Sequence, residues 1–468
     1  MYKSIQYFYE NITEKIHKRI VNQIKEGEDI GQISNGIRKD LLELGTHIIS
    51  EILEDMDKEL RESEERKMKY EVVHKRCNSF MTRMGKVTYE RTCFKRVKTE
   101  SCEYIVDGIF GIKAHENIAS DVEKELINEA VQTSYRKSGE EAIGTSDELS
   151  KQTVMNYISK YDFDFPEEEE DMGERKKCRI IYIEADEDHV PLQKGGIAMP
   201  RLVYVHEGVE NENTKSKRRK LRNARYFSSL NESNAVLWER VLDYIYGRYD
   251  WDSIERIYIA GDGASWIRAG TKMIDRSRFV LDRYHLKKYM KQASAHMDDI
   301  MQKTLKDALY DADKASVKAI LGKIIEMTEE ESRKEGVIEA SGYILSNWDG
   351  IQVYDDERGD VIGCSAEGHV SHIYSNRLSS RPKGWSIKNV KNMAKLAVYR
   401  MNGGNILDLV KYRRKKEEEQ QQVEKHKDKT EMIRGIRNEF YKNVQMPVLT
   451  QGKRTQTSWL LKEIRGVC

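Results

Sequence analysis

The stretch CRIIYIEADEDHVPLQ, Cys178–Gln193, determines how the rest of the chain is interpreted. Its apolar run, 180–183, is typical of a strand that is buried on both faces. Four carboxylates follow at once, on Glu184, Asp186, Glu187 and Asp188. Like charges so close together repel and raise one another's pKa unless a cation lies among them. The stretch therefore raises the question of which cation these carboxylates hold.

Composition and charge narrow the classes of protein to which the chain can belong. It has 468 residues, of which 34% are charged and 38% hydrophobic, and this length allows about two to four domains. Its net charge of +1 gives no general attraction for nucleic acid, so a DNA partner must be met by local basic patches. No apolar run is long enough to span a bilayer, and residues 1–15 lack the apolar core of a secretory signal. Six cysteines without a Cys-x-x-Cys pair fit a reducing compartment, so we expect a cytoplasmic protein that does not contact membranes.

Residues 1–115 divide by pattern into a helical region and a strand-rich module. In residues 1–75, isoleucine and leucine recur at three- and four-residue steps, which predicts helices that either pack on each other or mediate self-association. Residues 76–115 include GKVTYERTCFKRV, whose alternation of β-branched and aromatic residues with charges predicts a small antiparallel sheet. One zinc site can be assembled, but its spacing lacks paired knuckles, and ordinary half-buried thiols are the favoured interpretation. Its ligands would be His74, Cys77, Cys93 and Cys102.

Residues 116–161 predict a helix-turn-helix domain. Three short helical patterns follow one another with tight connections, and Ser150 is placed to cap the last of them, KQTVMNYISK. A helix, a glycine-containing turn and a second helix suit an element that binds the major groove of DNA. The side chains expected to face DNA are those of Lys151, Gln152, Thr153 and Asn156. A small helical bundle with no DNA role has the same pattern, so both interpretations stay open.

An α/β domain follows the acidic, proline-marked linker 162–177. Its predicted strands are 179–185, 198–207, 225–229, 256–260 and 278–281. Its predicted helices are 233–247, 264–274 and 283–295. The domain thus covers 178–295, is interrupted by the wholly helical residues 296–348, and resumes at 349–400. Residues 401–468 predict a charged helix or a disordered tail.

Two further acids stand beside the predicted sheet. Asp262 follows the strand IYIAG and lies between two glycines, which allow a sharp exit and the close approach of other groups, although it could simply cap the next helix. Glu367 lies in GCSAEGHVSH, after the helical interruption, where a lone carboxylate is usually just solvated. With one acid on the first strand, one on the fourth and one after the helices, three side chains can meet at one edge of the sheet. Oxygen ligands of this kind suit Mg²⁺ or Mn²⁺, and two such ions can serve phosphodiester chemistry.

Four motifs in order resemble those of the ISLre-type insertion-sequence transposases, which are akin to the Mutator-like transposases. They are IYIEAD with VPLQ, IYIAGDGASWI, LDRYHLKKY and GCSAEGHVSHIYSNRLSSRPKGWS. The likeness extends from the strand-rich segment near Cys77 to Trp385. It implies a catalytic domain of the DDE type with an RNase H-like fold and a helical insertion before the glutamate. It also implies that the catalytic, metal-binding acids are Asp186, Asp262 and Glu367.

A supporting pair and a reserve acid accompany these three. In the resemblance, Asp282 and His285 match the Asp-x-x-His signature of Mutator-like transposases, in which the histidine would orient a metal-bound carboxylate or a DNA phosphate. From the residues alone, Asp282 could be no more than the N-cap of a surface helix. Asp188 and Glu184 share the pleat side of Asp186 if the strand continues, so Asp188 is the alternative to Asp186 as the first acid.

Basic residues near the predicted site mark a path for DNA. Segment 213–227 is either a solvated loop or a contact to phosphates, whose affinity would fall steeply as salt rises. Its DNA-binding candidates are Lys215, Lys217, Arg218, Arg219, Lys220 and Arg222. Further candidates, for the scissile backbone, are Arg377, Arg381 and Lys383. Trp266 and Trp385 could stack on an exposed base, although a tryptophan is more often part of the core.

Together, the residues and the resemblance predict a transposase of a bacterial insertion sequence. Two Mg²⁺ or Mn²⁺ ions would serve cleavage of the element ends and transfer of the freed 3′-hydroxyl to target DNA, both of which are phosphoryl transfers. The partner would be double-stranded DNA, as terminal inverted repeats and as target, and synapsis of two ends implies a homodimer or a larger oligomer. Such a cytoplasmic protein would associate with the nucleoid when bound to DNA. The alternatives are a DNA-binding regulator without catalysis and an RNase H-like nuclease that cleaves without joining.

Overall fold

The structure is a computed structural model that describes residues 3–27, 29–97, 101–113, 116–145, 147–166, 174–211, 219–380 and 384–422. Contacts within the chain separate two units. The first comprises Met1–Glu129, Tyr135–Val154 and Val410–Cys468, and the second comprises Ala130–Ser134 and Met155–Leu409. The linker predicted at 162–177 therefore falls inside the second unit, and the chain changes unit within the predicted helix-turn-helix segment.

Residues 3–141 form helices and a three-stranded antiparallel sheet, in line with their pattern. The elements are α1 (Lys3–Tyr7), α2 (Thr13–Glu26), α3 (Ile30–Glu62), α4 (Glu64–Lys69), β1 (Tyr70–Thr82), β2 (Gly85–Arg96), β3 (Cys102–Glu103), α5 (Ile105–Phe110), α6 (Ser120–Gln132) and α7 (Tyr135–Glu141). A π-helical turn, Phe8–Ile12, separates α1 from α2. Strand β1 begins before residue 76 because its β-branched pair, Val72 and Val73, already favours an extended chain.

Helix α3 is fixed by a cap at its start and by a buried face near its end. The Asp29 side chain accepts hydrogen bonds from the N–H groups of Gly31 and Gln32, at 2.6 and 3.1 Å. Further along, Leu53, Met56 and Leu60 belong to a core shared with β2 and α5. The apolar stripe is only partly used in this way, since a second set of its side chains stays exposed. That set is Leu41, Ile48 and Ile52.

Residues 151–422 supply the remaining elements. They are α8 (Lys151–Ile158), β4 (Ile180–Glu187), β5 (Val190–Pro191), β6 (Ile197–Ala198), β7 (Arg201–His206), β8 (Val209–Asn211), β9 (Arg219–Leu221), β10 (Arg225–Ser229), α9 (Asn234–Arg248), β11 (Arg256–Gly261), α10 (Ser265–Met273), β12 (Ser277–Leu281), α11 (Arg283–Ser294), α12 (Asp299–Tyr310), α13 (Lys314–Met327), α14 (Glu331–Ser346), α15 (Trp348–Asp356), α16 (Ala366–Val370), α17 (Asn376–Leu378), α18 (Ile387–Met401) and α19 (Ile406–Gln422). All five predicted strands and all three predicted helices of 178–295 are present. Over the described ranges, no helix combines the length and hydropathy needed to cross a bilayer.

Five strands of the second unit form one mixed sheet in the order β10-β7-β4-β11-β12. Strand β4 pairs antiparallel with β7, which pairs antiparallel with β10. On its other side β4 is parallel to β11, which is parallel to β12. The strand that opens the unit therefore lies in the middle of the sheet, which explains its apolar run. The α/β prediction is confirmed as a mixed α/β structure with this sheet.

The two faces of the sheet differ in chemistry. On β4, Ile181 and Ile183 enter the large core that also contains α9 and α10. Tyr182, Glu184 and Asp186 point to the opposite face, because successive side chains of a strand alternate. This second face is apolar only near the start of β4 and becomes acidic towards its end.

The helical interruption predicted at 296–348 is present but is not a separate body. Helices α12, α13 and α14 contribute side chains to the same core cluster as β4, β11 and α9. These side chains are Leu305, Leu309, Val317, Leu321, Ile324, Val337, Ala340 and Ile344. Helix α15 then packs against β12. The interruption thus covers one face of the sheet.

The start of the predicted linker is packed rather than free. The Phe163 ring lies 5.9 Å from that of Tyr161, and the Phe165 ring lies 5.6 Å from that of Tyr399, between centroids. Aromatic side chains bury large apolar areas, so these contacts fix the chain as it leaves α8. The acidic run that follows, at 167–173, lies outside the described residues.

The segment predicted as a charged tail begins with a packed helix. In α19, Arg413 is 1% exposed and donates hydrogen bonds to Glu123 and Glu116, at 2.8 and 3.2 Å. Arg414 also donates to Glu123, at 3.1 Å. A buried charge is tolerated only when it is paired, so these bonds tie α19 into the first unit. The rest of the predicted tail, 423–468, is outside the described residues.

The contact between α9 and α10 yields a prediction about stability. A Cβ added at Gly270 would lie 2.6 Å from the indole of Trp238, which is fully buried. We expect Gly270→Ala to lower the free energy of unfolding by about 1–3 kcal/mol, because a packed core accepts an extra methyl group only with strain. Denaturant unfolding followed by circular dichroism measures this loss.

Gly342→Ala is the matched control, since it also places alanine inside a helix. No described atom lies within 4 Å of its added Cβ, and alanine is favoured over glycine in a helix by about 0.5–1 kcal/mol. Equal losses of stability in the two variants would contradict the role given to Trp238.

Candidate active site

The three acids singled out by the sequence lie at one end of the sheet. Asp186 is near the carboxyl end of β4, and Asp262 directly follows β11. Because β4 and β11 are adjacent and parallel, their carboxyl ends meet at the same edge. Glu367 lies on α16, which packs on β4. Three segments that are far apart along the chain thus supply the carboxylates.

The charges of these residues interact. Burial, together with the charges of Glu367 and Asp262, raises the pKa of Asp186 to about 7, against the lowering effects of a hydrogen bond from the Glu187 N–H and of the charge on His285. Asp186 is only 8% exposed, so little water screens these interactions. The cluster therefore holds more negative charge than its protein surroundings neutralise.

Asp262 is held in a tight turn. Its Oδ1 accepts a hydrogen bond from the Ala264 N–H at 2.8 Å, which closes the turn before α10. Helix α10 itself has no side-chain cap, so the alternative role of Asp262 as a helix cap is wrong. Gly263 has φ +92°, a left-handed conformation that favours glycine, and a Cβ there would meet the Asn347 side chain at 2.4 Å. The Tyr343 hydroxyl donates to the Asp262 carbonyl. Helix α14 and the residue after it therefore help to shape this turn.

The predicted supporting pair is formed. Asp282 is buried and caps α11 by accepting from the Tyr284 N–H at 3.0 Å. Its second oxygen lies 3.0 Å from Nδ1 of His285. The hydrogen bond to Asp282, with the charges of Asp282, Asp262 and Asp186, raises the pKa of His285 despite its partial burial. Both interpretations of Asp282, as cap and as partner of His285, describe what is found.

The reserve acid, Asp188, has a different environment. It follows the end of β4, and its Oδ1 accepts from the Ser379 hydroxyl and from the His189 N–H, each at 2.9 Å. These bonds hold the carboxylate towards Ser379. Asp186 instead interacts through its charge with both Asp262 and Glu367. Which of the two carboxylates is the first acid stays a prediction.

The described residues contain no group of three or more His, Cys, Asp or Glu side chains close enough together to hold a metal ion. The donor chemistry of the cluster nevertheless fits Mg²⁺, which usually takes one or two protein carboxylates and completes its shell with water and substrate phosphates. Asp186 with Asp262, or Asp186 with Glu367, supplies such a pair. The pKa of Asp186 is raised mainly by burial and further by the charges of Glu367 and Asp262, and a bound cation would lower it.

The alternative zinc site in the first unit is not supported by its cysteines. Cys77 and Cys102 are exposed free cysteines, and Cys93 is buried. Among the described residues, which include His74 and these three cysteines, no group of three or more His, Cys, Asp or Glu side chains could hold a metal ion. The interpretation as ordinary thiols fits these positions better.

The DNA-binding candidates fall into three groups. Those outside the described residues are Lys215, Lys217, Arg218, Arg381 and Lys383. Arg219 and Lys220 are exposed on β9, which pairs with β8 in a hairpin, and Lys220 forms an ion pair with Glu210 at 3.0 Å. Arg222 donates to the Glu207 carbonyl. Arg377 is buried and its Nε donates to the Ala130 carbonyl at 2.6 Å, so a contact with the scissile backbone is wrong for this conformation.

The two tryptophans proposed for base stacking are both core residues. Trp266 is 4% exposed, and the Arg201 guanidinium lies 4.9 Å from its ring. Trp385 is 6% exposed and donates from Nε1 to the Leu378 carbonyl at 2.9 Å. Stacking needs an exposed ring face, so the structure argues against that prediction and favours the core alternative.

The predicted recognition helix is present as α8. Ser150 caps it by accepting from the Thr153 N–H at 3.1 Å, as its position predicted. Lys151, Gln152 and Asn156 are exposed, and Thr153 is half-buried. The DNA contact itself stays a prediction.

One cluster near the acids was not predicted. Glu184 is buried on the Asp186 face of β4 and bonds to Tyr204, His206 and Ser365. The alternation of a strand places Glu184 beside Asp186, but its partners come from other strands and from the start of α16. The sequence around Glu184 therefore could not predict these hydrogen-bond partners.

Comparison with known proteins places the chain among relatives. The family model described as "Uncharacterised protein family (UPF0236)" matches residues 23–418. The chain belongs to the UPF0236 family. Two UPF0236 proteins of Caldanaerobacter subterraneus subsp. tengcongensis are each 38% identical to it over 458 residues, which is 97% of this chain and 96% of each relative.

A more distant member shows how widely the family likeness extends. The UPF0236 protein in the vanSb 3′ region of Streptococcus gallolyticus is 24% identical over 392 residues, or 81% of this chain and 85% of that protein. The name of the first Caldanaerobacter relative joins eleven loci of one genome, and that of the second joins four. UPF0236 proteins therefore occur in many copies within one genome.

The raised pKa of Asp186 predicts a pH-dependent stability when divalent metal is removed. A carboxyl with a pKa of about 7 in the folded protein and 3.8 in the unfolded chain binds its proton more tightly when folded. Its contribution to stability is complete below about pH 4 and is lost as the pH rises through 7. In EDTA, we therefore expect the stability of Asp186→Asn relative to the unsubstituted protein to rise by about 3 kcal/mol between pH 5 and 8.

Denaturant unfolding across this pH range measures the gain. Asp307→Asn, at an exposed position of α12, is the control and is expected to show no such trend. A difference between Asp186→Asn and the unsubstituted protein that stays constant with pH would contradict the prediction.

Proposed function

We propose that the protein is a DDE-type transposase of an insertion sequence, which cuts DNA at the element ends and joins the freed 3′-hydroxyl to target DNA. The observation that carries this proposal is that Asp186 and Asp262 lie at the carboxyl ends of adjacent parallel strands, with Glu367 on the helix that packs on β4. Carboxylates from three segments at one edge of a sheet are the kind of ligand set that phosphodiester chemistry with two metal ions uses.

The order of the structural parts supports an RNase H-like catalytic domain. The first acid is on β4, the first strand of the five-stranded sheet, and the second follows β11, its fourth strand. The third acid comes after helices α12–α15. This is the arrangement that the resemblance to ISLre-type transposases implies.

The copy number of the relatives supports a mobile element. Proteins 38% identical to this chain over nearly its whole length occupy eleven and four loci of one genome. A gene that encodes its own transposition spreads in this way, whereas a regulator or a housekeeping nuclease gives no reason for so many copies.

The residues of the site have distinct tasks in the proposed reaction. Bound Mg²⁺ or Mn²⁺ would supply activation of the attacking oxygen and stabilisation of the leaving oxygen. Asp186 interacts with both other acids and is the residue best placed to be shared between two ion sites. His285, oriented by Asp282 at 3.0 Å, brings positive charge towards Asp186 and Asp262. It thereby offsets part of the repulsion among the carboxylates.

Other surfaces suit the DNA and a second copy of the chain. Helix α8 exposes Lys151, Gln152 and Asn156 for the terminal repeats, and the β8–β9 hairpin exposes Arg219 towards solvent. Synapsis of two ends requires at least a dimer. The exposed apolar side chains of α3 are candidates for that contact, as the stripe in the sequence suggested.

The test is an assay with DNA fragments that carry the terminal inverted repeats from the sequence flanking the gene, and with a supercoiled plasmid as target. We expect cleavage and joined products that depend on Mg²⁺ or Mn²⁺. Asp262→Asn should lower the cleavage rate by roughly 10²–10³-fold or more, because it removes a charge that acts in the transition state. Gel analysis of labelled products measures both steps.

Asp307→Asn, which removes an exposed aspartate of α12, should keep the full rate. Cleavage without joined products would identify a nuclease. Binding to the repeats with no cleavage in either metal would identify a regulator. Each of these two outcomes overturns the transposase proposal.

A further inference from the structure

A buried carboxylate with no role in the chemistry above lies next to the site. Glu184 is 2% exposed and is two positions before Asp186 on the same face of β4. Its backbone is opposite Tyr204 of β7 on one side and Ala260 of β11 on the other. The backbone of Glu184 is therefore held by a neighbouring strand on each side.

Four hydrogen bonds converge on the Glu184 carboxylate. Oε1 lies 3.0 Å from Nε2 of His206, and Oε2 accepts from the Tyr204 hydroxyl at 2.6 Å. Oε2 also accepts from the Ser365 N–H and, at 2.9 Å, from the Ser365 hydroxyl. Three of these bonds fall on Oε2 and one on Oε1, so Oε2 is committed to Tyr204 and Ser365.

The bonds from Ser365 connect this carboxylate to Glu367. Ser365 is the residue before α16, and its side chain forms no capping bond to its own helix among the described contacts. One turn later, Nδ1 of His369 lies 3.2 Å from the Tyr204 hydroxyl, which also lies 3.0 Å from the Ser365 hydroxyl. Helix α16 is thus attached to the sheet on both sides of Glu367.

Helix α16 has little stiffness of its own. It has five residues and runs directly into the π-helical turn Ser371–Ser375, and isolated helices this short are not stable. The position of Glu367 therefore depends on the contacts that Ser365 and His369 make with the sheet.

We propose that Glu184 is a positioning residue that sets the distance between Glu367 and Asp186. This inference rests on the proposed function, in which these two acids act on the same phosphodiester. Glu184 acts through Ser365: the sheet fixes Glu184, Glu184 fixes the start of α16, and the start of α16 fixes Glu367.

The experiment compares three variants by hydrogen exchange and by kinetics. Glu184→Gln keeps the shape of the side chain but turns one acceptor into a donor, and Ser365→Ala removes one bond from the other partner. Tyr182→Phe is the matched control, because Tyr182 lies on the same face of β4 and its hydroxyl donates to the Asp360 carbonyl at 2.6 Å, away from Glu367.

Hydrogen exchange of the backbone amides of residues 365–370 measures directly how firmly Glu184 holds this segment. In Glu184→Gln we expect exchange there to be at least about tenfold faster, because a charged hydrogen bond is lost, while exchange in β11 and β12 is unchanged. Ser365→Ala should act in the same direction, and Tyr182→Phe should leave 365–370 as in the unsubstituted protein. This readout needs neither metal nor DNA.

The rate of DNA cleavage measures how the position of Glu367 affects the reaction. At saturating DNA, Glu184→Gln should cut roughly 10²-fold more slowly, the usual cost of misplacing a reacting group by about 1 Å. The DNA concentration for half-maximal rate should stay the same, since no DNA contact is removed. The double variant Glu184→Gln with Ser365→Ala should be no slower than Glu184→Gln alone, because both changes break one connection.

Unchanged exchange at 365–370 in Glu184→Gln overturns the inference, as does a full cleavage rate or a rate restored by more DNA. If Glu184→Gln melts before the assay temperature, Ser365→Ala decides by the same criteria. Failure of the unsubstituted protein to cut DNA overturns the proposed function, whereas the exchange result still decides whether Glu184 holds the segment of Glu367.

Discussion

The carboxylates at the ends of β4 and β11 repel one another, and the surrounding structure must hold them together against that repulsion. Parallel pairing of the two strands brings Asp186 and Asp262 to one edge. The turn at Gly263 and the hydroxyl of Tyr343 fix Asp262, while Glu184 fixes the start of the helix that carries Glu367. Much of the second unit can be understood as support for a cluster of charges that is unfavourable by itself.

The helical interruption contributes to this support of the acids. Helices α12–α14 complete the core beneath the sheet, and α14 sends Tyr343 to the backbone of Asp262. Next to it, Asn347 fills the space that a side chain at Gly263 would need. An insertion between the second and third acids therefore stabilises the second acid directly.

The sequence was sufficient for the strands and helices of 178–295 and for placing the three acids at one edge of the sheet, because these depend on local periodicity and on the order of parts. The catalytic role of the three acids stays a prediction. Alternation along β4 separated Ile181 and Ile183 from Asp186, and the two glycines around Asp262 marked a close approach. It was not sufficient for Glu184, Arg377 or Trp385. Whether a charged or aromatic side chain is buried depends on partners distant in the chain, such as Ser365 for Glu184 and Ala130 for Arg377. Such distant partners cannot be predicted from composition or from the spacing of residues along the chain.

The pairing of Arg413 with Glu123 has a consequence for synthesis on the ribosome. The two residues are 290 positions apart, so the glutamate leaves the ribosome long before its partner exists. Domains usually fold as they emerge, N-terminal first, but this unit cannot neutralise its buried acids until almost the whole second unit has been made. A gene copy cut short by a frameshift before residue 413 would leave those acids uncompensated, at a cost of about 3–5 kcal/mol. Chains truncated in this way would then be degraded rather than persist as stable fragments.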